Sequence, residues 1–313
     1  MLLNKPKFWD KKNSLLSILF FPISLIVLLY IFLKKKLTKI IKFNIPVICV
    51  GNIYVGGTGK TPTSILLANE LSRLNKKPVI LRKYYENHID EHRLIKESFK
   101  SLILNKDRVE GIREAEEKKY DSIILDDGFQ DYKIKKDLSI LCFNENQLIG
   151  NGLILPSGPL RESLNSLKNA DLILINGKKN TNFEKKILYI NKKLKIFYSN
   201  YKPKNLDKFK NKKLMAVAGI GNPNNFFKLI KENGLDIERK LIFPDHYKFT
   251  QPEVENIVKE ANLSNYQLIT TEKDYYKLKD FAINKIDYLK VSLEINEKEK
   301  FLKQIIKLYE KKN

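Results

Sequence analysis

The stretch Gly51-Asn52-Ile53-Tyr54-Val55-Gly56-Gly57-Thr58-Gly59-Lys60-Thr61 constrains this chain more than any other. Before it stands a short apolar run, Val47-Ile48-Cys49-Val50. After it Ile65, Ala68, Leu71 and Leu74 recur at helical spacing. Strand, glycine-rich turn and amphipathic helix, in that order, bring backbone N–H groups and a helix N-terminus onto a single anion. The pattern predicts that Gly56, Gly57, Thr58 and Gly59 cradle nucleotide phosphates. Lys60 then reaches the β- and γ-phosphates, and the Thr61 hydroxyl ligates Mg2+. ATP and Mg2+ are the expected cofactors. Tyr54 stands where the strict G-x-x-x-x-G-K-[ST] spacing places its first glycine.

Pro78-Val79-Ile80-Leu81 completes a strand–loop–helix–strand unit, the building block of a parallel sheet with helices on both faces. Further strands are predicted at Ser122 to Leu125, Leu138 to Phe143, Leu172 to Ile175, Leu214 to Ala218 and Leu268-Ile269. Helices are predicted over Pro223 to Asn233, from Thr250-Gln251-Pro252-Glu253 with its capping-box spacing, and over Glu297 to Tyr309. The lysine- and asparagine-rich stretch Gly177 to Lys213 reads as an irregular connector carrying one or two strands. The expected fold is α/β: a P-loop NTPase-like parallel sheet with helices on both faces over residues 41–205, and a smaller α/β domain over 206–313. Cys49 and Cys142 each lie inside an apolar run, which predicts core thiols and neither a disulfide framework nor a zinc site.

A second acid site follows the phosphate loop. Asp121-Ser122-Ile123-Ile124-Leu125-Asp126-Asp127 ends a buried-strand pattern in two carboxylates. Such an acid, at the carboxyl edge of the sheet, holds Mg2+ directly or through water. An Asp pair before Gly128 also suits a simple turn. Asp126, which closes the apolar run, is the first choice for the metal.

At the N-terminus no charge appears between Lys12 and Lys34, and Leu15 to Leu33 is almost continuously apolar. About 20 helical residues cover roughly 30 Å, a bilayer's hydrocarbon thickness. Residues 1–40 are therefore read as a membrane anchor, spanning the bilayer or, with Pro22 as a break, lying in one leaflet. Phe8, Trp9 and Tyr30 flank it as interfacial aromatics do. The charged segment after the run argues against a cleaved signal. The net charge of +22 fits an anionic membrane, a nucleic acid, or a general bias toward lysine; its even spread disfavours nucleic acid.

From Leu125-Asp126-Asp127-Gly128-Phe129-Gln130 onward the chain resembles the tetraacyldisaccharide 4′-kinases of lipid A biosynthesis. Leu155-Pro156-Ser157-Gly158-Pro159-Leu160-Arg161-Glu162, Ala218-Gly219-Ile220-Gly221-Asn222-Pro223, Phe243-Pro244-Asp245-His246-Tyr247 and Thr270-Thr271-Glu272-Lys273-Asp274 follow in the family's order. The resemblance implies transfer of the ATP γ-phosphate to the 4′-hydroxyl of an acylated glucosamine disaccharide 1-phosphate. It places the enzyme at the inner membrane with its catalytic domains in the cytoplasm and the active site in a cleft between two domains. It makes Asp126, Asp127 and Glu162 metal-associated. It also makes Asp90 the catalytic base, in concert with His246. From the residues alone, Asp90 equally suits the N-cap of the helical pattern through Leu94, Ile95 and Phe99, and His246 an ordinary loop histidine.

The chain departs from the family where Leu81-Arg82-Lys83-Tyr84 replaces Ser-Arg-Gly-Tyr. It departs again in the short step from Tyr84 to Asp90, and at Asp131, where a histidine is usual. His88 and His92 flank Asp90 as alternative participants. Two other classes compete: a different phosphate-loop enzyme acting on a small acid, and a basic, ATP-responsive protein that binds membrane or nucleic acid.

Overall fold

The computed structural model describes residues 5–245, 247–281 and 286–310, which fall into two compact units. One holds Lys5–Tyr84, Phe99–Asn200 and the chain from Glu294 onward; the other holds Tyr85–Ser98 and Tyr201–Leu293.

The first unit begins with helices α1 (Leu15–Leu19) and α2 (Phe21–Leu37). The single spanning helix expected over Leu15 to Leu33 does not form: among the described residues no helix is long and apolar enough to cross a membrane. Pro22 is the reason. It has no N–H to give to the preceding turn, so it sits in the first turn of a new helix, where that hydrogen bond is not needed. The 17 residues of α2 cover only about 25 Å, and its last turn carries Lys34, Lys35 and Lys36.

Next come β1 (Val47–Gly51), α3 (Lys60–Arg73) and β2 (Pro78–Lys83), the unit that the apolar spacing predicts. Helix α4 (Ile89–Ser98) belongs to the other unit. The first unit continues with β3 (Leu102–Asn105), α5 (Arg108–Glu117), β4 (Ser122–Asp126), β5 (Leu138–Asn144), β6 (Leu172–Asn176), α6 (Thr181–Ile190) and β7 (Lys195–Pro203). Helix α6 corrects the irregular connector expected there. Asn180 caps it by accepting from the Phe183 N–H at 2.9 Å, and Phe183 and Ile187, one turn apart, are its buried contacts.

The second unit carries β8 (Leu214–Ala218), α7 (Pro223–Glu232), β9 (Ile237–Ile242), α8 (Gln251–Leu263), β10 (Gln267–Thr271), α9 (Glu272–Leu278) and β11 (Ile286–Leu289). Strand β12 (Val291–Ile295) and α10 (Lys298–Glu310) end the described chain. The capping box at Thr250 forms in full, with Glu253 and Thr250 bonding each other's backbone.

The larger sheet runs β12-β7-β6-β5-β1-β4-β2-β3, and every pairing from β3 to β7 is parallel. Its strands are buried on both sides because successive residues face opposite layers. Val47 and Cys49 pack with Val109, Ile112 and Ala115 of α5, while Cys142 on the opposite face meets Thr63 of α3. Burial pushes both thiols, Cys49 and Cys142, up to about 12, so they stay protonated core groups. The smaller sheet, β11-β10-β8-β9, is also parallel throughout. Leu214, Ala216 and Ala218 face α7, and Met215 and Val217 face α8.

In the larger sheet the chain leaves β1 toward β2 on one side and later reaches β5 on the other. That reversal opens a crevice at the carboxyl ends of β1 and its neighbours, where α/β sheets receive their ligands.

Candidate active site

Two groups of side chains carry the chemistry, one in each unit. In the first, β1 delivers the chain into the phosphate loop. Gly59 occupies the left-handed region (φ 91°) as the residue before α3, a conformation costly for any residue with a Cβ. The loop is braced from within. Asn52 Nδ2 donates to Thr58 Oγ1 (3.0 Å), and Thr63 Oγ1 donates to Gly59 O (2.8 Å). It is braced from outside by Val55 N–H to Pro159 O (2.9 Å) and Arg161 N–H to Ile53 O (2.7 Å). Tyr54 is fully buried in the core cluster. The position that is glycine in the strict pattern is thus a hydrophobic anchor here, with an ordinary negative φ.

Asp126 ends β4 with no exposed surface. Its Oδ2 accepts from Thr61 Oγ1 at 3.0 Å, its Oδ1 accepts from Ser64 Oγ at 3.0 Å, and the Arg82 guanidinium closes on it. Arg82 Nη1 also lies 3.3 Å from Thr61 Oγ1. Thr61 and Asp126 therefore bring two hard oxygens together beside the phosphate loop, a donor set that suits Mg2+. The adjoining Asp127 adopts φ 57°, in the left-handed region. Its carboxylate lies 3.0 and 3.1 Å from Arg161 Nη1 and 3.7 Å from Lys60 Nζ.

Burial disfavours the Asp127 charge, but Lys60 and Arg161 outweigh it and hold the carboxyl well below its usual range. Burial also lowers Lys60, and Asp127 offsets part of that. In this state the loop lysine is held by a carboxylate that a phosphate group would replace.

Glu162 is buried and paired through Oε2 with Lys35 of α2, while its Oε1 is buried without a hydrogen-bond donor. Such an orphaned acceptor fits a role toward a cation or its water. Among the described residues, no three of His, Cys, Asp and Glu converge on one point. Asp126, Asp127 and Glu162 thus each have separate partners.

In the second unit Asp90 lies in the first turn of α4, just inside the helix rather than at its cap, and is buried. Two lysines one turn apart on α9 reach it: Lys277 Nζ at 3.4 Å and Lys273 Nζ at 3.7 Å from Oδ2. Lys273 also binds Glu91 (2.9 Å) and Asp245 (3.0 Å). Lys277 binds Asp274 (2.9 Å) and Gly219 O (3.2 Å). Asp274 has no exposed surface; it accepts from the Gly219 N–H and from Thr271 Oγ1, each at 2.8 Å. The Ala218–Pro223 and Thr270–Asp274 motifs thus meet Asp90 through one ionic network. His88 lies 3.5 Å from Glu91, and His92 is buried. His246 lies outside the described residues; its neighbour Asp245 is in the network.

Sequence reading did not single out Arg82, Ser64, Lys35, Lys273 or Lys277 as site groups. Ser64 had a signal, one helical turn after Thr61. The others meet partners distant in the chain.

A profile of the family described as tetraacyldisaccharide-1-P 4′-kinase matches residues 15–310. The tetraacyldisaccharide 4′-kinase of Pelagibacter ubique (strain HTCC1062) is 40% identical over 315 residues, covering 99% of this chain and all of that one. The chain belongs to the tetraacyldisaccharide 4′-kinase family. A relative of the same description from Rickettsia akari is 36% identical, with 96% of each chain covered. The crystal structure of LpxK from Aquifex aeolicus in complex with ATP superposes with a TM-score of 0.72 at 26% identity, covering 94% of this chain and 99% of that one. Membership makes this protein an ATP-dependent phosphotransferase of lipid A biosynthesis, as the ordered motifs implied.

Proposed function

We propose that the chain phosphorylates the 4′-hydroxyl of an acylated glucosamine disaccharide 1-phosphate while seated on the cytoplasmic face of the inner membrane. The observation that carries the donor half is the closure of Thr61 on Asp126 beside a loop whose lysine pairs with Asp127. Thr61 and Asp126 would hold Mg2+, with Asp127 and Glu162 in supporting positions. When bound, the cation neutralises charge on the β- and γ-phosphates. Lys60 and Arg161, which pair with Asp127, would turn to the phosphate oxygens and stabilise the charge that spreads over the transferred group.

Asp90 accepts the proton of the acceptor hydroxyl late in the transfer, with His246 as its partner. The ammonium groups of Lys273 and Lys277 favour the carboxylate form needed for that step. An acceptor embedded in lipid explains the apolar surface of α1 and α2, where Leu15, Leu19, Ile26 and Leu29 are exposed. ATP as donor puts the phosphate loop on the cytoplasmic side.

The test incubates purified protein with ATP, Mg2+ and detergent-dispersed acylated disaccharide 1-phosphate, following a lipid one phosphate heavier. Wild type forms it, and Lys60→Ala, Asp90→Ala and His246→Ala lose it. Product surviving in Asp90→Ala moves the base to another group. No product from folded, ATP-binding wild type sinks the acceptor assignment.

A further inference from the structure

One side of α2 is not lipid-like. Ser24, Leu28, Ile31 and Lys35 recur at helical spacing on a single stripe, and all four are at least half-buried. Ser24 Oγ donates to Ile154 O (2.9 Å), lies 2.9 Å from Ser157 Oγ and accepts from the Ser157 N–H (3.1 Å). Asn151 ties the same loop to α1, with Nδ2 donating to Ser17 Oγ (3.1 Å) and to Ser157 O (2.9 Å). Trp9 Nε1 donates to Pro156 O at 2.9 Å. At the far end of the stripe Lys35 meets Glu162, five residues past Ser157. The helices are therefore bolted along the loop that ends in Arg161 and Glu162, two groups of the donor site.

Glu162 is 1% exposed, with Lys35 on Oε2 and the Tyr132 phenol as a further hydrogen-bond donor to the carboxylate. Lys35 also stands 4.8 Å over the Tyr132 ring, whose phenol is pushed up by burial and by the Glu162 charge. A buried carboxylate needs a fixed cation to offset its lost hydration and to hold its orientation. Here that cation comes from the helix whose opposite side is exposed and apolar.

We infer that Lys35 is a positioning residue of the kinase site: it fixes the Glu162 carboxylate through Oε2 next to Arg161, which pairs with Asp127, and makes α2 a wall of the active centre as well as the membrane-facing element. The inference rests on the kinase reading above.

The test compares wild type, Lys35→Met, Lys35→Arg, Glu162→Gln and the Lys35→Met/Glu162→Gln pair in detergent micelles. Partners that orient a metal-associated group typically cost about 10–100-fold in activity or metal affinity when removed. Lys35→Met is expected to lower kcat by about tenfold or more with KM for ATP unchanged. It also raises the Mg2+ concentration needed to bind a non-hydrolysable ATP analogue, read by calorimetry. Lys35→Arg restores most of both.

Thermal unfolding gives a readout independent of turnover. The melting losses of Lys35→Met and Glu162→Gln are less than additive in the double variant, and Lys36→Met shows no such coupling to Glu162→Gln. Wild-type kcat and Mg2+ dependence in Lys35→Met, or additive melting losses, would overturn the inference. Absence of lipid product from wild type would overturn the kinase reading instead.

Discussion

Arg82→Met removes a cation that touches both Thr61 and Asp126. Asp126 has no exposed surface and the Arg82 side chain is 8% exposed. Taking away one partner of such a pair leaves a buried carboxylate uncompensated, at about 3–5 kcal/mol. The Thr61 and Ser64 hydroxyls, each 3.0 Å from the carboxylate, remain as donors and favour the lower figure. For a unit of this size each kcal/mol moves the melting midpoint by about 2–4 °C, which places the loss near 6–12 °C.

Mg2+ with a non-hydrolysable ATP analogue brings a new cation to the same carboxylate. The variant then gains more on ligand addition than wild type does, and the gap narrows. Differential scanning calorimetry at fixed ligand concentration measures both quantities, with Arg82→Lys as the charge-retaining control. A ligand-free loss under about 2 °C would refute the claim that Arg82 neutralises Asp126. Equal ligand-induced gains in the two proteins would refute the claim that arginine and metal compensate one carboxylate.

Asp127→Asn tests the second pairing, and Asn tolerates the left-handed backbone found there. The carboxyl is held below its unfolded value, so its contribution is complete above about pH 4 and is lost as pH falls further. The wild-type advantage in urea midpoints at pH 7 should narrow by about 1 kcal/mol at pH 3; a gap independent of pH would contradict the pairing. Gly158→Ala would drive a Cβ into Leu153 O and Asn151 Oδ1, at about 1–3 kcal/mol. Unchanged melting would show that the loop under the helices yields freely. Ile26→Ser with Leu29→Ser should weaken binding to anionic vesicles by about 100-fold, since both side chains are exposed on α2; sedimentation that still depletes the double variant would remove the apolar surface from membrane seating.

What could be read from the sequence was local in the chain. Gly59, Lys60 and Thr61 owe their placement to a turn and a helix start encoded within a few residues, and Asp126 to the end of an apolar strand. Helix α6 escaped because it buries only Phe183 and Ile187 and sits in a lysine- and asparagine-rich stretch, so composition spoke louder than spacing. The pairings that set charge at the site join residues far apart: Arg82 with Asp126, Lys35 with Glu162, and Asp90 with Lys273. A lysine or an arginine looks alike in sequence whether it meets water or a buried carboxylate. Only the partner's burial separates the two.

The N-terminal apolar run shows the same limit from the other side. Averaged over the segment, hydropathy calls for lipid all round. Ser17 on α1 and Ser24 on α2 each mark one side of their helix as protein-facing. A chain that only needed an anchor would have no use for two buried hydroxyls, nor for a lysine continuing the Ser24 stripe to Glu162. Their placement argues that this segment was selected to hold the loop after Asn151 in position, and that seating on lipid and shaping of the phosphate site are properties of one element.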